Sequence, residues 1–212
     1  SFDVAVTAVN DVPTIANITD PGAILEDAGQ QTINLSGIGT GAANEDQTIT
    51  ITATSIDVSI IPNPTVVYTS PNAEGTLTYT PVANANGSGR ITVTVHDDGG
   101  TENDGIDTAA VIFNVSVTAV NDPPIADASA FNVSEDSVYT HQLTGSDGDP
   151  YDTDADDQTL TFALINNTIH GDLAIDTLTG DITYTPDDNY NGTDSLQFQV
   201  TDNGQTSGSA DP

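Results

Sequence analysis

The sequence predicts an all-β chain made of two sandwich modules set end to end, and three observations carry that prediction. Short runs of Thr, Val and Ile alternate apolar with polar residues, whereas no window keeps apolar residues at the i, i+3, i+4 spacing of a helix face. Clusters of Gly, Pro, Asn and Asp separate the runs, as turns separate strands. The third observation is an internal repeat. The stretch Phe2-Asp3-Val4-Ala5-Val6-Thr7-Ala8-Val9-Asn10-Asp11-Val12-Pro13 returns as Phe113-Asn114-Val115-Ser116-Val117-Thr118-Ala119-Val120-Asn121-Asp122-Pro123-Pro124, with nine of twelve positions identical.

That repeat sets the boundaries. Its first part alternates as a half-buried strand does, and Asn-Asp followed by Pro then stops the strand, supplies carbonyl and carboxylate oxygens and stiffens the exit. Each copy therefore ends one module and starts the next. The expected organisation is residues 1–9 as the seventh strand of a preceding module, 10–120 as the first module and 121–212 as the second, lacking its last strand. Modules of roughly 100 residues are of ordinary size.

In the first module the runs are Ile15 to Ile18, Thr32 to Leu35, Thr48 to Thr54, Thr65 to Tyr68, Thr76 to Thr80, Ile91 to Val95 and Ala109 to Val117. Seven strands is the count of an immunoglobulin-like sandwich. The second module repeats the order with six: Phe131 to Val133, Val138 to Leu143, Thr159 to Ile165, Asp172 to Ile175, Asp181 to Thr185 and Ser195 to Val200. Matched blocks fix the alignment of the two. Glu26-Asp27 pairs with Glu135-Asp136, Asp46-Gln47-Thr48 with Asp157-Gln158-Thr159, and Thr78-Tyr79-Thr80-Pro81 with Thr183-Tyr184-Thr185-Pro186. Further on, Asn84 and Asn86 match Asn189 and Asn191, and Val95-His96-Asp97-Asp98-Gly99 matches Val200-Thr201-Asp202-Asn203-Gly204. Blocks kept in one order indicate a duplicated domain.

Charge narrows the function. Against 32 acidic residues stand a single Arg90 and no Lys, a formal net charge of −31. Self-repulsion on this scale calls for metal ions or salt, and it excludes nucleic acid and anionic membranes as partners. There is no Cys, so no disulfide braces the modules, and cation binding is the expected substitute. No apolar run approaches the ~18 residues of a membrane span, so membrane insertion is not expected. Ser1 is not a methionine and no signal peptide precedes it, so the chain reads as a piece of something longer.

The expected chemistry lies in the loops. In a seven-stranded sandwich, alternate loops gather at opposite poles. At the lower pole of the first module fall Glu26, Asp27, the loop with Asn84 and Asn86, and the linker residues Asn121 and Asp122. At the upper pole of the second fall Asp154, Asp156 and Asp202. The corresponding positions elsewhere are Asn10, Asp11, Glu45 and Asp97 at the upper pole of the first module, and Glu135 and Asp136 at the lower pole of the second. Calcium takes six to eight oxygens from carboxylates, amides and carbonyls in flexible geometry, which is the donor set offered here; magnesium suits it less well. The upper pole of the first module is the weaker expectation, because Ala43 and Glu45 stand where the second has Asp154 and Asp156. The segment 147–157 carries six Asp in eleven positions but lacks the bidentate Glu of an EF-hand loop, and Asp147, Asp149 and Asp152 read as solvated acids.

Taken together, the Ala-Val-Asn-Asp-Pro-Pro joint, the Glu-Asp turn, the Asp-x-Asp loop and the Asp-Asn-Gly turn resemble the bacterial cadherin-like tandem repeats of large calcium-dependent, RTX-type surface adhesins. The resemblance covers essentially the whole chain. It implies calcium-rigidified extender modules at the cell surface or in an extracellular filament, serving cell adhesion, assembly or biofilm formation. The expected partners are neighbouring modules of the same or an identical chain; the second module's missing last strand leaves two readings, strand donation by Phe2 to Val9 of an identical chain or completion by continuous neighbouring modules. The alternative reading is a carbohydrate- or protein-binding module that contacts a glycan or cell-surface target directly.

An enzyme is not expected. His96, His141 and His170 share no spacing, and no nucleophile elbow, phosphate loop or helix-borne metal motif occurs. Glycosidase chemistry would want aromatic sugar platforms beside its carboxylates, yet there is no Trp. Tyr79, Tyr184 and Tyr190 read as core plugs or braces rather than platforms.

Overall fold

The computed structural model describes residues 2–146, 148 and 159–203, together with the backbone of 205–206 and 209–210. The fold is all-β, with no α-helix among the described residues, and the chain divides into two units, Ser1–Ala119 and Val120–Pro212.

Unit 1 contains β1 (Ile24–Leu25), β2 (Gln31–Ser36), β3 (Ile49–Ser55), β4 (Thr65–Val67), β5 (Glu74–Tyr79), β6 (Gly87–Asp97) and β7 (Thr108–Thr118). They form two facing sheets, ordered β1-β7-β6-β3 and β2-β5-β4. The period-2 alternation seen in the sequence is what fills the space between them. On β7, Phe113, Val115 and Val117 face inward, and on β6 Ile91, Val93 and Val95 do the same, against Leu35, Leu77 and Tyr79 of the opposing sheet. Each such aliphatic or aromatic burial contributes about 1.5–3 kcal/mol, so the β6–β7 pair anchors the unit.

The run Ile15 to Ile18 was expected to be a strand of its own, and the structure corrects this. Only a Thr14–Gly39 bridge and one bond from the Ala16 amide to the Ser36 carbonyl (2.9 Å) tie it beside β2. The chain then turns at Asp20-Pro21-Gly22, where Pro21 has no amide proton to continue a ladder. It crosses to the other sheet, and β1 runs parallel to β7 in the register Ile24–Val117. Asp20 fastens this crossing by accepting the Asn114 amide (2.7 Å) and its Nδ2 (3.1 Å); the amide bond holds the Asp20 pKa below the usual carboxylate value.

Unit 2 contains β8 (Ile125–Ala126), β9 (Tyr139–Gln142), β10 (Gly145–Ser146), β11 (Thr161–Asn166), β12 (Gly171–Ile175), β13 (Asp181–Pro186) and β14 (Gln197–Thr201), followed by β15 (Gln205–Thr206) and β16 (Ser209–Ala210), which pair with each other. One sheet is β12-β13-β9, the other pairs β11 with β14, and β8 pairs with β10. Leu143, Phe162 and Ile182 are buried, whereas Phe131, Leu173, Leu196, Phe198 and Val200 pack on them only half-covered. The expected strand Phe131 to Val133 is not formed. Phe131 instead stacks its ring on Tyr139 (4.6 Å) and lies against His141 (5.1 Å). The pairing of β8 with β10 was not foreseen, since two residues are too few for an alternation to show.

Candidate metal site

At the end of the first unit's core the strand period places a carboxylate. Along β6 the inward row runs Ile91, Val93, Val95 and then Asp97, which is 0% exposed. Burying a charge is costly unless other groups compensate, and two donors converge on one of its oxygens. Asn10 donates from Nδ2 to Asp97 Oδ1 (2.9 Å), and the Gly99 amide donates to the same oxygen (3.0 Å). Asn10 is itself held by the β6–β7 loop: its Nδ2 donates to the Ile106 carbonyl (2.9 Å) and its own carbonyl accepts the Ile106 amide (3.2 Å).

The loop between β2 and β3 closes the site. Gln47 donates from Nε2 to Asn10 Oδ1 (2.5 Å), and Glu45 accepts the Asp11 amide through Oε1 (2.8 Å). After these bonds three side-chain oxygens, Asp97 Oδ2, Glu45 Oε2 and Gln47 Oε1, are shielded from solvent and meet no hydrogen-bond donor among the described residues. Shielded acceptors left in this state destabilise a fold by about 1–3 kcal/mol each, more when charged. The donor set is oxygen only, two carboxylates and an amide, and fits a hard cation such as calcium better than a metal that prefers nitrogen or sulfur. Among the described residues no three His, Asp or Glu side chains converge on one point, so such a site would depend on amide oxygens beside its carboxylates.

The approach is tight. A Cβ at position 99 would lie 2.0 Å from Asn10 Oδ1 and 2.6 Å from Gln47 Nε2, so any larger residue there would displace these two side chains. Gln47 and Gly99 were not among the expected site residues. The signal for both was present in the repeat, since Gln47 matches Gln158 and Gly99 matches Gly204.

In unit 2 the matching pair is also joined, Asn121 donating from Nδ2 to Asp202 Oδ2 (3.3 Å). Asp122 is half-buried beside it. Asp154 and Asp156, expected to complete that pole, lie outside the described residues, as do Asp147, Asp149 and Asp152. At the other pole of unit 1 Glu26 is 1% exposed, and its amide donates to the Thr118 carbonyl (3.1 Å), while Asp27 is exposed. Their counterparts differ. Glu135 is exposed, and Asp136 adopts a left-handed φ of 60° and accepts the Asn189 amide (2.9 Å), which ties two turns together. Asn84 and Asn189 share the left-handed conformation, at φ of 59° and 55°, as their alignment suggested.

Each histidine has its own, different neighbours. His96 Nε2 lies 3.6 Å from Asp107, His141 belongs to the Phe131–Tyr139 stack, and His170 stacks on Tyr190 (4.1 Å). Tyr79 and Tyr184 are core residues, 4% and 7% exposed. The Tyr184 hydroxyl donates to the His170 carbonyl (3.0 Å) and to Asp194 Oδ2 (3.1 Å). Burial first, and then the Asp194 carboxylate, push the Tyr184 pKa up to about 12.

Residues 121–211 match a family described as a bacterial Ig domain. No curated protein sequence matches the chain. Among solved structures, the chain is similar to the extracellular cadherin domains 1–5 of protocadherin gamma B2, at 13% identity and a TM-score of 0.50, over 91% of this chain and 39% of that one. It is also similar to the cis-dimer structure of protocadherin gammaB7 EC3-6, at 14% identity and a TM-score of 0.49, over 90% of this chain and 45% of that one. The chain thus spans less than half the length of either protocadherin structure. No helix among the described residues is long and apolar enough to cross a membrane. The chain accordingly has an Ig-like, cadherin-like all-β fold, and its residues 121–211 carry the pattern of a bacterial Ig domain.

Proposed function

We propose that this chain is a non-catalytic extender segment of a bacterial surface adhesin or extracellular filament, in which calcium braces the acidic poles of its modules. The observation that carries the reading is the cluster of Asn10, Glu45, Gln47 and Asp97, with three shielded oxygens that meet no donor. Bound calcium would supply the positive charge that the chain lacks, one Arg against 32 acids. Asp97, Glu45 and Gln47 would hold it, with Asn10 orienting Asp97. Bacterial Ig-like and cadherin-like domains are usually extracellular, where calcium at ~10⁻³ M would fill sites with the ~10⁻⁴–10⁻³ M dissociation constants of such modules. Calorimetric titration of the chelated chain tests this. Heat from calcium that is lost in Asp97→Asn supports the reading, and a chain that takes up no calcium overturns it.

A second reading is direct binding of a glycan or protein. It is favoured by the stacked, half-buried Phe131, Tyr139 and His141 of unit 2, since such rings offer a face to a sugar or an apolar side chain. Glycan-array binding lost in Tyr139→Ala would support it over the spacer.

A further inference from the structure

The chain passes through unit 1 from one end to the other. It enters at Asn10, which is tied to Asp97 and Ile106 on either side of the β6–β7 loop. It leaves at the end of β7, where Val117 pairs with Gly87 at the start of β6. A strand of 11 residues such as β7 spans about 34 Å, and the entry and exit are separated by about that length. Between them the entering segment runs beside β7 in the same direction, because β1 is parallel to β7 in the register Ile24–Val117. Tension along the chain therefore draws Asn10 one way and Thr118 the other. The entering segment and β7 must slide past each other for the unit to open.

The ties on the entering segment lie across that slide. Thr14 and Gly39 exchange two backbone bonds (2.8 and 3.2 Å), the Ala16 amide donates to Ser36 (2.9 Å), and the Glu26 amide donates to the Thr118 carbonyl (3.1 Å). Ladder bonds stand across their strands, so sliding loads them together, whereas peeling from one end loads them in turn. Backbone pairing of β1 reaches only Val117 and Thr118. Asp20 extends the attachment further up β7, its carboxylate accepting both the amide and the Nδ2 of Asn114 (2.7 and 3.1 Å). We infer that residues 14–26 and β7 form a shear clamp through which unit 1 bears tension along the chain, with the Asp20 carboxylate as its latch. The use of the clamp rests on the extender reading, since a spacer between a cell and its target is a part under load.

Single-molecule stretching of the full chain tests the clamp, and the absence of Cys lets introduced thiols serve as unique handles. Phe2→Cys with Ile125→Cys, at sites 87% and 58% exposed, loads unit 1 from entry to exit. Phe2→Cys with Asn103→Cys, in the exposed β6–β7 loop beside the entry, peels the same segment from one end. Both are pulled at one loading rate in chelator, with salt to screen the charge, so calcium plays no part and either reading can fail alone. The entry-to-exit direction should need about twice the force or more and release about 350 Å of chain, because forced opening follows the unfolding barrier in the direction pulled. Asp20→Ala, at an exposed site that spares folding, should lower the force in that direction and leave the peeling force unchanged. Asp20→Asn keeps an oxygen for the Asn114 amide and should restore most of the loss. Equal forces in the two directions, or an entry-to-exit force that Asp20→Ala leaves intact, would overturn the inference.

Discussion

Asn10 and Asp97 meet through a 2.9 Å hydrogen bond from Asn10 Nδ2 to Asp97 Oδ1, and the residues that match them, Asn121 and Asp202, meet in the same way at 3.3 Å. The first residue of a module is thereby tied to the end of β6 in unit 1 and to the residue that follows β14 in unit 2. The bond uses one carboxylate oxygen of Asp97 and leaves the other shielded without a donor. This asymmetry makes Asp97 a better test of metal binding than the exposed acids around it.

The substitution Asp97→Asn keeps the shape and the Oδ1 acceptor and removes the buried charge. In chelator it should stabilise unit 1 or leave it unchanged, because a desolvated charge is gone. In calcium the order should reverse. A site filled to 100 times its dissociation constant stabilises the fold by about 2.7 kcal/mol, and the variant forgoes that gain. Thermal melts with and without calcium check the crossing of the two orders; parallel shifts in both proteins would show that Asp97 is not a ligand.

Gly99→Ala should damage the same site by sterics. Its Cβ would stand 2.0 Å from Asn10 Oδ1, so either Asn10 or the loop must move. We expect a loss of about 1–3 kcal/mol in chelator, as for other overpacked positions, and a weaker calcium response. Denaturant titration together with calorimetry measures both.

Much of this was legible from residues alone, and the reasons are local. Phe113, Val115 and Val117 announce a half-buried strand because side-chain alternation is a property of the strand itself. Asp97 follows Ile91, Val93 and Val95 at the same period, so its inward position was also written in the chain. The path from Thr14 to Leu25 was not, because its partners Gly39, Ser36 and Val117 are distant and which sheet each part joins depends on them. Phe131 likewise reads as a strand residue until its ring is seen stacked on Tyr139. The role of Gln47 was carried by its match to Gln158, yet a polar residue in a loop shows no burial until the loop is placed against Asn10.

Asp194 and Tyr184 predict how unit 2 responds to pH. Burial tends to raise the Asp194 pKa, but the Ile169, His170 and Ser195 amides and the Tyr184 hydroxyl outweigh it, so the folded value lies below 3.8. Its contribution is therefore present above pH ~3.8 and is lost as the pH falls through the lower folded value. Tyr184 acts at the other end. With its pKa raised from 10.0 to about 12, its contribution is full below pH 10 and disappears as the pH rises through about 12. Asp194→Asn should flatten the acid limb of unit 2, and Tyr184→Phe the alkaline limb, while each also lowers stability at neutral pH through lost hydrogen bonds. Circular dichroism melts from pH 2 to 12 would follow both limbs, and unchanged limbs would refute the assignment.

The two units should also unfold separately, unit 2 first. Unit 1 closes its core with Ile61, Leu77, Ile91, Val93, Val95 and Val115, all 0% exposed, whereas around Ile182 the residues Leu173, Leu196 and Phe198 are only half-covered and border a cleft. Apolar burial scales with area withdrawn from water, so unit 2 holds less stabilisation per residue. Ile182→Ala, at a site 1% exposed, should cost about 2–5 kcal/mol and move only the earlier transition in urea. Val93→Ala should move only the later one. Hydrogen exchange resolved by residue assigns each transition to its unit. A single transition shifted by both substitutions would mean that the units fold as one, and Val93→Ala shifting the earlier step would reverse the order argued from their cores.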